Sequence, residues 1–226
     1  MTNIQAIFFD LDDTLLDRNK AVDKMFLIIL DKYYDEITDG EKNKMLKRFK
    51  DYDSRAYGQN DKAFVLEAFF NEFPPIERIQ RNALQKFWNE HFPMCFSINE
   101  NVLHLVNAIK EQVKVAIITN GSTQRQYAKI SNTNLHCCFD SIFISEEVGI
   151  SKPDKRIFEF ALNKLNVKPE ATLFVGDDLE KDIGGCQNAN VKGIWFNPNK
   201  HSNDTNIKPF AEIHSLNQLI NYVKVP

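Results

Sequence analysis

The chain of 226 residues has four cysteines, Cys95, Cys137, Cys138 and Cys186, and no CxxC pair. Their spacing matches no zinc site, and they read as reduced thiols of a cytosolic protein. No apolar run is long enough to cross a bilayer. The amino terminus shows no basic segment leading into an apolar run and a small-residue cleavage site, so a cytoplasmic protein without a membrane partner is expected. A charge surplus is lacking as well: 28 basic and 31 acidic residues leave a net charge of -3. That argues against a partner held by bulk charge, such as a nucleic-acid polymer. The five histidines, His91, His104, His136, His201 and His214, are scattered and form neither a ligand pair nor a triad. Internal repeats and low-complexity tracts are absent.

What is present suits an ordinary globular protein: 43% hydrophobic and 26% charged residues, with 18 phenylalanines expected mostly in the core. Ile4 to Phe9 is a short run, apolar but for Gln5, the pattern of a strand buried on both faces in a parallel sheet. Similar runs are Val113–Thr119, Ala171–Val175 and Gly193–Phe196, with a weaker one at Ser141–Ser145. Helical patterns lie between them. Asn99–Gln112 places Val102, Leu105, Val106 and Ile109 on one face. Asp154–Asn166 does the same with Ile157, Phe158, Ala161, Leu162 and Leu165. Alternating strands and helices predict an α/β domain with a parallel sheet. Residues 19–92 differ, showing only helical periodicity. The stripes are Val22, Phe26, Ile29, Leu30, Tyr33; Met45, Phe49, Tyr52; Phe64, Leu66, Phe69, Phe70; and Ile79, Leu84, Phe87, Trp88. This stretch is too long for a loop and predicts a separate helical domain. Asn197–Asn206 reads as a surface loop and Glu146-Glu147 as a solvated turn.

The apolar runs end in polar clusters. Asp10-Leu11-Asp12-Asp13-Thr14 follows the first, Thr119-Asn120-Gly121-Ser122 the next, then Ser151-Lys152-Pro153, and then Gly176-Asp177-Asp178 with Glu180 and Asp182. Ligands of open parallel sheets bind beyond the carboxyl ends of the strands, where these clusters converge if the strands are neighbours. Carboxylates, one lysine and hydroxyl donors suit phosphate chemistry with a divalent metal, which offsets the repulsion among the acids. Asp10 and Asp12 are two apart and share a face of an extended chain. One can attack phosphorus while the other handles a proton. Thr119 and the amides after it can cradle phosphate oxygens, and Lys152 can add a fixed positive charge.

These motifs resemble those of the haloacid dehalogenase superfamily. Asp10-Leu-Asp12-Asp13-Thr14 is similar to its DxDxT motif, Ile118-Thr119-Asn120-Gly121 to the second motif, Lys152 in SKPDKRIF to the third, and GDDLEKDI (Gly176–Ile183) to the acidic fourth. The resemblance covers nearly the whole chain. It implies a Rossmann-like, doubly wound α/β core (residues 1–18 and 93–226) with an inserted all-helical type-1 cap of subfamily I (residues 19–92). It implies Asp10 as nucleophile and Asp12 as general acid and then base. Mg²⁺ would be held by Asp10, the Asp12 backbone carbonyl and Asp177, with Asp178 or Asp182 completing the acidic shell. Thr119, the Asn120 amide and Lys152 would bind phosphate. Dehalogenases of the superfamily lack the second aspartate, so Asp12 favours phosphoryl transfer. Phe143–Leu162 and AIITNGST are similar to the branch that includes pyrimidine 5'-nucleotidases.

The expected function is a Mg²⁺-dependent phosphatase of small phosphorylated metabolites, with nucleoside monophosphates and sugar phosphates as candidates, acting through an aspartyl-phosphate. The rivals are a sugar-phosphate mutase, a phospho-receiver domain and a non-catalytic protein of the same fold. A receiver carries its acceptor on a middle strand, whereas here the acids follow the first. The cap is expected to close over the site and choose the substrate, with Arg55, Tyr57 and Lys62 as possible contacts that read more simply as surface residues. A monomer or weak homo-oligomer is expected.

Overall fold

The computed structural model describes residues 3–77 and 79–223. Among them are six strands: β1 (Ala6–Phe9), β2 (Lys114–Thr119), β3 (Ser141–Ile144), β4 (Thr172–Gly176), β5 (Lys192–Phe196) and β6 (Ala211–Ile213). All neighbours pair in parallel, in the order β3-β2-β1-β4-β5-β6. β1 is flanked by β2 and β4, with Phe9 opposite Ile117 on one side and Val175 on the other. All four of its residues are buried, which explains the unbroken apolar run. The five expected strands are present with shifted ends. β6 was not expected, because its sequence, Ala-Glu-Ile, offers too short a pattern.

The helix α5 (Glu100–Lys110) and the helix α6 (Thr123–Asn132) bracket β2 in sequence, α7 (Ser145–Val148) follows β3, and α8 (Lys155–Leu165) precedes β4. In α8 the five predicted positions are the buried ones. They pack with Ala6, Phe8, Ala116, Ile118 and Phe174 on one face of the sheet. Asp154 caps α8 by accepting the Arg156 N–H at 3.0 Å, and Asn166 at φ 50° ends it. Asn163 and Leu162 carbonyls accept the Asn166 N–H there. Glu146 and Glu147 lie on α7 and are engaged: Glu146 accepts the Thr123 N–H and Glu147 the Tyr127 hydroxyl, so the expected solvated turn is a short helix tied to α6. Asn197–Asn206 is irregular, as expected of a loop.

The chain forms two compact units, Met1–Asp17 with Ile98–Pro226, and Arg18–Ser97. The second contains four helices among the described residues: α1 (Arg18–Tyr33), α2 (Asp39–Arg55), α3 (Ala63–Glu72) and α4 (Arg81–His91). Thr38 and Glu41 form a capping box at the start of the second. The core of this unit is rich in aromatic residues. Phe69 stands edge-on to Phe26 and Phe49, and Trp88 lies against Phe49 and Phe92. Two expectations fail here. Phe64 is exposed, because the third helix turns Val65, Leu66, Phe69 and Phe70 inward instead. Lys62 is buried rather than superficial, its ammonium donating to the Ala56 carbonyl. Among the described residues no helix is long and apolar enough to cross a membrane.

Candidate active site

The strand order reverses at β1 and β4: the chain runs outward from β1 to β3, then returns to the far side of β1. Such a reversal opens a crevice beyond the strand ends. Asp10 stands at the end of β1, its N–H donating to the Val175 carbonyl at 2.9 Å, and Asp177 follows β4 directly. The strand stops at Phe9, so pleat alternation does not direct Asp12 as the spacing suggested. A tight turn does. The Leu11 carbonyl accepts the N–H groups of Leu15 and Leu16, and Asp13 takes a left-handed φ of 59°. The turn sends Asp12 toward α6. There Lys129 Nζ lies 2.8 and 2.7 Å from its two oxygens, and Gln126 Nε2 lies 3.2 Å from Oδ2.

Asp10, Asp177 and Asp182 converge, with one oxygen of each within 4.8 Å of the others. Asp182 reaches back because residues 179–184 form a single wide helical turn after Asp178. Its carboxylate lies over Gly176, where a Cβ would sit 2.3 Å from Oδ2, so the glycine is what admits it. Asp182 Oδ1 accepts from Lys152 Nζ at 2.7 Å and Oδ2 from the Asp178 N–H at 3.1 Å. Asp178 itself caps the turn, accepting from the Glu180 and Lys181 amides and the Lys181 ammonium. Of the two acids left open by the sequence, Asp182 therefore joins Asp10 and Asp177, while Asp178 is spent on the backbone. Asp177 is held from both sides: its carbonyl accepts the Trp195 indole N–H at 2.8 Å and its carboxylate lies 3.4 Å from the Thr14 hydroxyl.

Lys152 is 4% exposed, and its ammonium sits 2.5 Å from Asp10 as well as on Asp182. Asn120 holds the Lys152 backbone in a two-way clasp: its amide donates to the Lys152 carbonyl at 2.8 Å and its oxygen accepts the Lys152 N–H at 2.9 Å. The Asn120 side chain therefore positions the lysine. Thr119, buried at the end of β2, accepts from Gln126 Nε2 at 2.6 Å. Gln126 and Lys129 were missed at the level of sequence. A signal existed: they are three apart in QRQYAK, one face of a helix that opens after the Thr119 cluster.

Burial raises Asp10 and Asp177 well above the ordinary carboxylate range; Asp182 adds to both and Asp10 adds to Asp177, while the Lys152 ammonium pulls both back. For Lys152, burial lowers the pKa, but the Asp10 and Asp182 carboxylates outweigh it and raise it above the usual lysine range. Three crowded carboxyl groups share one ammonium, so keeping all three ionised calls for further positive charge. The donors are all hard oxygens, the set that fits a divalent cation such as Mg²⁺ rather than a soft metal.

Comparison with known proteins gives the family. Residues 7–196 match the family model described as haloacid dehalogenase-like hydrolase. A glyceraldehyde 3-phosphate phosphatase of Pyrococcus furiosus is 31% identical over 231 residues, spanning 97% of this chain and 93% of the relative. The pyrimidine 5'-nucleotidase YjjG of Escherichia coli is 36% identical over 136 residues, 60% of each chain. Among solved structures, the HAD-hydrolase YfnB of Bacillus subtilis, described as bound to magnesium, superposes with a TM-score of 0.80 at 24% identity, covering 99% of this chain and all of that one. On the family match, the parallel sheet and the convergence of Asp10, Asp177, Asp182 and Lys152, the chain belongs to the haloacid dehalogenase-like hydrolases.

Proposed function

We propose that this chain releases phosphate from small phosphorylated metabolites in a Mg²⁺-dependent reaction through an aspartyl-phosphate on Asp10. That it is a phosphoric monoester hydrolase of the haloacid dehalogenase type follows from its family and relatives; the metal, the intermediate and the substrate are our reading. The observation that carries it is Asp10 between Lys152 and the acidic cluster at the strand-order reversal.

An Asp10 oxygen forms a bond to phosphorus as the ester oxygen leaves, and Asp12 gives that oxygen its proton. Water then attacks the same phosphorus, Asp12 takes the proton, and the bond to Asp10 breaks, releasing phosphate. Splitting one displacement into two lowers each barrier. Lys152 and Thr119 hold the phosphoryl oxygens, with the Asn120 amide beside them. Lys152 is suited to this because Asp182 and Asn120 fix its head and its backbone. Asp10, Asp177 and the Asp12 carbonyl would hold Mg²⁺, with Asp182 behind them because both its oxygens are already bonded. When bound, the ion offsets the charge of the carboxylates and the phosphate.

The test is phosphate release from a panel of phosphorylated metabolites, with Mg²⁺ and with EDTA. Glyceraldehyde 3-phosphate and pyrimidine nucleoside 5'-monophosphates head the panel, because two relatives carry those names. Metal-dependent release from members of the panel supports the reading. Isomerised sugar phosphate without free phosphate would mean a mutase, and release undiminished by EDTA would remove the metal from the proposal.

A further inference from the structure

The helix α6 carries buried polar side chains that the proposed reaction does not use. Gln126 is 2% exposed and Lys129 5%. A buried amide and a buried ammonium are costly unless bonded, and both are bonded to the site. The Gln126 amide nitrogen lies 2.6 Å from Thr119 Oγ1, 3.2 Å from Asp12 Oδ2 and 3.2 Å from the Asn120 carbonyl. Lys129 Nζ bonds both oxygens of Asp12. Gly121 makes room for this arrangement. Its φ is 143°, and a Cβ there would lie 3.2 Å from the Gln126 side chain.

We propose that Gln126 and Lys129 are positioning residues that hold Asp12 and the Thr119 hydroxyl in mutual register. The inference rests on the reading of Asp12 as the group that moves the proton. Thr119 has one O–H to give, and its oxygen already accepts from Gln126. The hydroxyl hydrogen is thereby turned away from α6, where it can donate to a phosphoryl oxygen. The same amide reaches Asp12, so one buried side chain links the phosphate-binding group to the proton-transfer group. Lys129 adds a two-point contact that restrains rotation of the Asp12 carboxylate. Misplacing a catalytic group by about 1 Å can cost on the order of a hundredfold in rate.

The test uses the full chain with two phosphate esters of unequal leaving groups, 4-nitrophenyl phosphate and phenyl phosphate, in single-turnover phosphorylation with Mg²⁺. Lys129→Met and Gln126→Leu should slow phenyl phosphate by about tenfold or more and 4-nitrophenyl phosphate distinctly less, because a good leaving group needs less of the proton. Lys129→Arg, which keeps the cation, should recover most of the rate. In an Asp12→Asn background, Lys129→Met should cost no further rate, since it acts through Asp12. Should Lys129→Met not fold, because it removes one member of a buried ion pair, Gln126→Leu still carries the leaving-group test. Equal losses for both esters in folded variants, wild-type rates, or an undiminished Lys129→Met loss in the Asp12→Asn background would each overturn the inference while leaving the phosphatase reading intact. A wild-type chain that releases phosphate from neither these esters nor the metabolite panel would overturn that reading, and this inference with it.

Discussion

Asp10 is buried beside two other carboxylates, and only Lys152 opposes them among the contacts described. Removing its charge relieves repulsion, so Asp10→Asn should leave stability unchanged or higher while abolishing turnover. Thermal unfolding and phosphate release measured on the same preparation check both halves, and wild-type-like release would refute the nucleophile role. Gly176 is the counterpart on the neighbouring strand. An added Cβ would meet Asp182 Oδ2, Cγ and Cβ at 2.3, 2.5 and 2.6 Å, too close along the whole side chain for a rotamer shift to resolve. Gly176→Ala should therefore displace Asp182 from Lys152, cost about 1–3 kcal/mol as overpacking does, and raise the Mg²⁺ concentration needed for half-maximal activity. A titration of activity against Mg²⁺ that overlays the wild type would contradict this.

The first helix of the helical unit begins at Arg18, and its guanidinium is tied to Asp53 on the second helix by hydrogen bonds of 2.6 and 2.7 Å. The same guanidinium lies over the rings of Tyr57 and Phe92, 5.0 and 5.5 Å from their centroids. The side chains are 12% and 3% exposed, so screening by water is weak. This pair joins the start of one helix to the end of another inside an otherwise apolar core. Arg18→Ala leaves the Asp53 carboxylate buried without that cation. A loss of about 3–5 kcal/mol is expected, read as a lower urea midpoint. Arg18→Met with Asp53→Leu should recover much of the loss, because an apolar pair needs no compensating charge. A midpoint unchanged in Arg18→Ala would show the pair to be neutral.

For the molecule as a whole, the insertion point of the helical unit matters most. Its connections to the sheet unit fall at Asp17/Arg18 and Ser97/Ile98, and the first comes seven residues after Asp10 along the chain. We propose that this unit selects the substrate. Arg55 and Tyr57 are its candidates for substrate contact; Lys62 is withdrawn, because its ammonium is buried on the Ala56 carbonyl. Single replacements of Arg55 and Tyr57 should change the ranking of kcat/KM among metabolites while altering 4-nitrophenyl phosphate much less. A ranking that no substitution changes, measured on the panel used for the wild type, would defeat the selector role.

Much of this architecture was legible in the sequence. A strand buried on both faces must be apolar throughout, so β1 and β4 announced themselves, and a helix with one buried face shows its period, as α8 did. Acids clustered after such strands pointed to a charged site because a helix cap calls for a single acid, not for several together. Local pattern could not supply the rest. β6 is three residues long and owes its place to pairing with β5. The direction of Asp12 depends on a turn built from the Leu11 carbonyl and the positive φ of Asp13, and its partners Gln126 and Lys129 lie more than 110 residues away. The choice between Asp178 and Asp182 likewise rested on space. Both are acids four positions apart, and only packing against Gly176 and Lys152 turned one into the cluster while the backbone amides of the next turn claimed the other. Residue type and period set which elements form; which side chains meet is set by contacts between elements distant in sequence, and those exist only once the sheet has assembled.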